Sequence, residues 1–135
     1  MNRNKMIAIG AVTGALAVVL GAFGAHSLRE VLSAEKVATW NTGVEYQFYH
    51  TFAILLVAAL ADTIGARRSM TITYLFLAGM ICFSGSIYLL ATREATGMDW
   101  VLALGPVTPI GGLLFITGWV MILLSVMKGK KANNN

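Results

Sequence analysis

The sequence predicts an all-α integral membrane protein, a bundle of four transmembrane helices with both termini in the cytoplasm. Three observations predict it. Charge is scarce: 12% of the 135 residues are Asp, Glu, Lys or Arg, where soluble domains run near about 25%, and the mean hydropathy is +0.72. That leaves too little polar surface to coat a water-soluble globule. Uncharged runs occupy 6–25, 71–91 and 101–127, with 20, 21 and 27 residues, and about 20 helical residues cross a hydrocarbon core of roughly 30 Å. The basic residues divide unequally. With four spans, Arg3, Lys5, Arg67, Arg68, Lys128, Lys130 and Lys131 share one side and Arg29, Lys36 and Arg93 the other; the positive-inside rule puts the richer side, with both ends, in the cytoplasm.

The first span, about 6–25, follows Asn2-Arg3-Asn4-Lys5 and so has a rival reading as a signal peptide. It is longer than an h-region of about 7–15 residues, and Phe23 fits poorly as the third residue before a cleavage after Ala25, so a retained helix is expected. Gly10, Gly14, Ala17, Gly21 and Gly24 recur at steps of four and three residues, one helical stripe that includes a GxxxG. Small residues let helices approach closely in lipid; packing within the monomer is the first reading of this stripe and a subunit interface the second.

Between spans 1 and 2, Ser27-Leu28-Arg29-Glu30 reads as a capping box. Leu28, Val31 and Leu32 would then share the apolar face of a short amphipathic helix on the outer surface. Ser33 offers a second cap. Val37, Trp40, Val44 and Phe48 recur at helical steps, so the second helix is expected to begin near Ala34, outside the bilayer, with its span at about 43–61. Only 51–61 of that span is an unbroken apolar run; Tyr46, Gln47, Phe48, Tyr49 and His50 precede it. The third span is expected over about 71–91. The fourth, about 101–127, carries Pro109, which removes an N–H and crowds the preceding turn, so the regular helix should start or kink there. Trp40 and Trp100 fall near the expected outer interface, where aromatic belts lie; Trp119 does not. The whole chain reads as one transmembrane domain, 1–135, with a disordered tail at about 130–135.

Chemistry-bearing residues concentrate in one layer. His26 ends span 1, the 45–51 cluster opens span 2, Ser84, Ser86 and Tyr88 lie in the outer half of span 3, and Thr108 and Pro109 in that of span 4. The candidate layer is therefore His26, Tyr46, Gln47, Tyr49, His50, Ser84, Ser86, Tyr88, Thr108 and Pro109. Polar groups at such depth are costly unless paired or facing water, so the layer is either a hydrogen-bonded clasp or a pocket open to the outside. No nucleophile elbow surrounds the serines, and two histidines without clustered Cys or carboxylates fall short of a metal site. Cys82, alone, makes no intramolecular disulfide. No Lys/Arg stripe interleaved with aromatics points to nucleic acid. The expectation is a protein without enzymatic activity, cofactor or metal, in contact with membrane lipids and able to form a homo-oligomer, with no small-molecule ligand identified.

Gly21-Ala22-Phe23-Gly24-Ala25-His26, Thr42-Gly43-Val44-Glu45-Tyr46-Gln47-Phe48-Tyr49-His50, Phe83-Ser84-Gly85-Ser86-Ile87-Tyr88, and Thr108-Pro109-Ile110-Gly111-Gly112 with Gly118-Trp119 occur in this order. In these segments the chain resembles the YgdD/YwdK-like family of small bacterial membrane proteins, related to the eukaryotic transmembrane protein 256 family. The resemblance runs from Met6 to about Met127. It implies a four-helix protein of the bacterial plasma membrane and carries over no activity and no site residues. Three function classes follow: a structural or interaction bundle; an oligomeric transporter or channel for a small solute or proton, using His50 and the polar layer; and a membrane enzyme or metalloprotein, the least supported.

Overall fold

The structure is a computed structural model that describes residues 2–132, with side chains as far as Met127. All regular structure among these residues is helical. The first helix, α1 (Arg3–Ala25), is started by Asn2, whose side chain accepts from the Lys5 N–H, as an N-cap residue does for an orphan donor. The second, α2 (Ala34–Ala59), is capped in the same way by Ser33, whose hydroxyl accepts from the Lys36 N–H, and it runs unbroken through Gly43. A short helix, α3 (Ala61–Ile64), leads to Gly65 at φ +91°. Then α4 (Ala66–Met80) passes through one π-helical turn, Ile81–Gly85, into α5 (Ser86–Thr96), which ends on Gly97 in the left-handed region. A 3₁₀ segment, Asp99–Leu104, precedes α6 (Val107–Ala132). Pro109 sits in the first turn of α6, where its missing N–H costs no intrahelical bond. The last helix thus includes 130–132 of the expected tail; 133–135 lie outside the described residues.

The expected amphipathic helix between α1 and α2 is corrected. Leu28–Glu30 forms a single 3₁₀ turn, and Ser27, in helical conformation, caps nothing. Leu28 is buried with Trp40, Val44 and Ala91, while Val31 is 65% exposed, so the three apolar residues do not share one face. The link spans only 26–33 and has to reverse the chain, which leaves no room for a helix long enough to own an apolar stripe.

Among the described residues, three segments are long and apolar enough to cross a membrane: Arg3–Glu30, Ala66–Thr96 and Asp99–Met127. The helix α2 has the length, but its polar residues lower its hydropathy. Three of them, Gln47, His50 and Thr51, are buried on the same face as Trp40, Val44, Ile54 and Val57, while Glu35, Asn41, Thr42, Glu45, Tyr46 and Tyr49 are exposed. The packing of α1 on α2 explains the small-residue stripe. A Cβ on Gly10 would lie 2.5 Å from Leu55, one on Gly24 2.6 Å from Trp40, and one on Gly14 3.2 Å from Thr51. The stripe is the seat of α2 within the same chain.

On the other side of the bundle, α4 and the π turn pack on α6 by placing rings over glycines. Phe76 lies over Gly118, Phe115 over Gly79, and the Phe83 backbone against Gly111. One core cluster gathers Met6, Ile54, Val57, Ile72, Phe76, Met80 and Phe115; a second gathers Leu28, Trp40, Val44 and Ala91. Ion pairs mark both ends. Arg3 meets Asp62 at 2.5 Å; at the opposite end Glu94 receives Lys36 at 3.7 Å and Arg93 at 3.6 Å, and Arg93 also reaches Asp99.

Candidate functional site

The ten residues of the expected polar layer divide into three hydrogen-bonded groups and a remainder. The first group joins α1, α2 and α5. The Gln47 side chain donates through Nε2 to the Thr13 carbonyl at 2.8 Å and accepts through Oε1 from the Tyr88 hydroxyl at 2.9 Å. One turn along α2, the Thr51 hydroxyl donates to Thr13 Oγ1 at 2.9 Å, which in turn donates to the Ile9 carbonyl. A glycine at 43 makes the join: a Cβ there would lie 2.7 Å from the Tyr88 ring, so only glycine lets α5 come close enough for Tyr88 to reach Gln47. Above this group, Trp40 Nε1 donates to the Leu20 carbonyl at 2.9 Å and its ring packs on Tyr88, centroids 4.5 Å apart.

The second group centres on His50. Its Nδ1 is 2.8 Å from the Tyr46 carbonyl, and Trp119 Nε1 points at its Nε2 at 3.3 Å. A carbonyl only accepts and an indole N–H only donates. The ring is therefore the neutral tautomer with its proton on Nδ1 and an acceptor at Nε2. Adding a second proton would set two N–H groups against each other. The ring also lies flat on Phe115, centroids 3.4 Å apart and planes at 7°, and near Phe76. The geometry leaves His50 no free nitrogen to pass a proton through. Trp119, unexplained from the sequence, is the partner that satisfies His50.

The third group joins α5 to α6. Ser86 Oγ and Thr108 Oγ1 are 2.6 Å apart, and Ser86 Oγ also lies 3.0 Å from the Phe83 carbonyl. A hydroxyl has one proton, so with Ser86 donating to Phe83, Thr108 donates to Ser86. Phe83 belongs to the π turn, and its carbonyl is served by the side chain three residues on.

The remaining residues do not join. His26 is exposed at the end of α1, and Tyr49 is 55% exposed on the outside of α2. Tyr46 stacks its ring on Phe83, centroids 4.5 Å apart, and contributes its backbone to His50. Pro109 is exposed. Ser84 is buried with its hydroxyl unpartnered among the described residues. Sequence reading missed Thr13 altogether, because a lone threonine in an apolar helix carries no pattern. Thr51 belonged to the 45–51 cluster, one turn after Gln47, but not to the ten candidate residues.

Between α1 and the α4–α5 rod lies a crevice of about 300 Å³, lined by Thr13, Leu16, Gln47, Met80, Gly85 and Tyr88 among others and almost wholly apolar. Its polar floor, Gln47 and Tyr88, is already engaged. Among the described residues no group of three His, Cys, Asp or Glu side chains is arranged to hold a metal.

Residues 20–112 match a protein family described as "Protein of unknown function (DUF423)". The chain is 40% identical over 123 residues to the UPF0382 membrane protein YwdK of Bacillus subtilis, covering 90% of this chain and 95% of the relative. It is 41% identical over 130 residues to a UPF0382 membrane protein of Haemophilus influenzae, covering 95% and 98%, and 38% identical to the UPF0382 membrane protein SH2409 of Staphylococcus haemolyticus, covering 90% and 94%. No solved structure matches it.

Proposed function

Since the chain belongs to the DUF423 family and its relatives are membrane proteins, we propose that it is a four-span protein of the bacterial plasma membrane, with both termini cytoplasmic, that acts as a structural or interaction bundle rather than as an enzyme or a proton path. The observation that carries this reading is the state of His50. It is the titratable side chain best placed for membrane chemistry, and the Tyr46 carbonyl and the Trp119 indole occupy both of its nitrogens. Gln47, Tyr88, Ser86 and Thr108 are likewise engaged between helices, as polar groups inside a membrane bundle are when they serve as glue.

The fourth span is α2. Within its span Gln47, His50 and Thr51 face protein and are hydrogen-bonded there, and such groups do not oppose insertion as lipid-facing ones do; Asn41, Glu45 and Tyr49 face outward. The orientation rests on the distribution of Lys and Arg. The relatives named above are bacterial, which favours the plasma membrane as the location.

Two measurements test this. With Cys82→Ser as background, single cysteines at positions 2 and 65 should label only from the cytoplasmic side and those at 33 and 97 only from outside; labelling of 33 and 65 from the same side removes α2 as a span. In proteoliposomes, proton flux should equal the protein-free leak both in the wild type and in His50→Ala. Flux that falls on the His50→Ala substitution overturns the bundle reading in favour of a transport function.

A further inference from the structure

The outward face of α2 is unlike the other lipid-facing surfaces of this chain. It presents Asn41, Glu45, Tyr49, Phe52 and Leu56, all exposed and spaced at helical steps along one stripe. The outward faces of α1 and α6 are dominated instead by aliphatic residues such as Val12, Leu16, Val19, Leu113, Ile116 and Leu123. Among the described residues, nothing hydrogen-bonds or pairs with the side chains of Asn41, Glu45 or Tyr49; Tyr49 makes a ring contact with Tyr46 on its own helix.

The depth of Glu45 makes this consequential. The ion pairs at Asp62 and at Lys36 mark the two ends of the rod. They are separated by about 39 Å of helix at ~1.5 Å per residue, close to the roughly 40–45 Å of a bilayer with its headgroups. Glu45 lies about 13 Å inward from Lys36 along that rod, and the headgroup layer accounts for only about 5–7 Å of this. The carboxyl group therefore stands several ångströms inside the hydrocarbon, facing out of the monomer. Acidic groups at such a position are rare and are paired.

We propose that this face of α2 is an interface with a second copy of the same chain, the two α2 helices running parallel about a two-fold axis normal to the membrane. The face carries its own complement. In a parallel two-fold pair each seam residue faces its own counterpart and lies diagonal to the residues one turn above and one turn below it on the other helix. Glu45, an acceptor, is flanked one turn outward by the Asn41 amide and one turn inward by the Tyr49 hydroxyl, both donors. The two-fold operation sets the two Glu45 side chains at one level, and the Asn41 amides and Tyr49 hydroxyls of both copies lie one turn outward and one turn inward, so four donors surround the two carboxyl groups and offset their like charge; a two-fold interface is self-complementary in this way. Phe52 and Leu56 continue the same stripe toward the cytoplasmic end and supply packing. This surface is distinct from the small-residue stripe of α1, which α2 already covers within the monomer. The inference rests on the four-span reading above, because the depth of Glu45 follows from it.

The test uses the full chain in membranes, on a Cys82→Ser background. Phe52→Cys and Leu56→Cys should each yield a disulfide-linked dimer on mild oxidation, while Leu113→Cys and Val12→Cys, on the faces left to lipid, should not. By energy transfer between labelled copies diluted into lipid, Glu45→Leu should weaken self-association roughly tenfold, the weight of one or two interhelical hydrogen bonds in a membrane, and Glu45→Gln, which keeps an acceptor, should largely retain it. Glu45 touches nothing inside the monomer, so both variants should keep wild-type helix content. Equal association of Glu45→Leu and wild type, or cross-linking through position 113 in place of 52, overturns the proposal. Cysteine labelling separates the two failures: accessibility at positions 33 and 65 from opposite sides with no dimer sinks the interface alone, whereas same-side accessibility removes the span on which it stands.

Discussion

Gly111 and Gly112 are neighbours in sequence with opposite burdens. A Cβ on Gly111 would sit 2.5 Å from the Phe83 backbone nitrogen and 2.8 Å from its Cα, while one on Gly112 meets nothing within 4 Å. Backbone does not give way as a side-chain tip does. Gly111→Ala should therefore destabilise the fold by about 3 kcal/mol, the upper part of the overpacking range. Gly112→Ala should be neutral or stabilising by up to ~1 kcal/mol, the difference in helix propensity. Unfolding by denaturing detergent, followed by circular dichroism, compares the pair directly; equal losses would mean that α6 does not approach the π turn this closely. His50 shows the same limit on sequence reading at this scale. Its identity announced a group able to carry a proton, but its state depends on Trp119, which lies 69 residues away.

At the scale of elements, the π turn Ile81–Gly85 sets the register of everything after it. A π turn carries one residue more than the α-helical turn it replaces, so it offsets the residues of α5 by one position from a continuous α-helix. That offset is what aims Tyr88 at Gln47 and Ser86 at Thr108. Deleting Ile81, which is 67% exposed and so leaves no hole in the core, should turn the π turn into an α-helical one that completes the same rotation with one residue fewer, so α5 keeps its face and the Tyr88–Gln47 and Ser86–Thr108 bonds persist. The unfolding midpoint of the deletion should therefore stay above that of Gln47→Leu, which removes one of the two bonds at about 0.6–1.7 kcal/mol; a deletion as damaging as Gln47→Leu would show that the π turn is not what fixes the register. Nothing in Phe83-Ser84-Gly85-Ser86 announces a π turn, because it arises from the meeting of Phe83 with Gly111 on another helix. The second helix was legible by contrast: Ser33, the apolar steps from Val37 to Phe48 and the start near Ala34 appear as read, because caps and periodicity are local. The outer-surface helix was misread because Ser27 and Glu30 have capping spacing but the link has no length to spend on a helix.

For the molecule as a whole, the ion pairs at its two ends fix a thickness, with charge held at the Arg3–Asp62 level and at the Lys36–Glu94 level. A bundle of this height should be most stable where the hydrocarbon core is near ~30 Å. Its unfolding midpoint in proteoliposomes should fall in both thinner and thicker bilayers, by fractions of a kcal/mol per Å of mismatch; a midpoint that climbs steadily with chain length would contradict the placement of the two levels. By itself the sequence determined the helical class, the apolar segments, the start of α2 and the crowding of polar residues on particular stretches, since hydropathy, caps and periodicity are properties of neighbours along the chain. Only the tertiary structure decided that the glycine stripe of α1 is filled by α2, that Thr13 and Trp119 complete the polar groups, that Ser86 and Tyr88 are spent between helices, and that Glu45 is left facing outward. Each of those depends on which faces meet, and the pairing of faces is set by the fit of rings over glycines and donors onto acceptors across helices far apart in sequence.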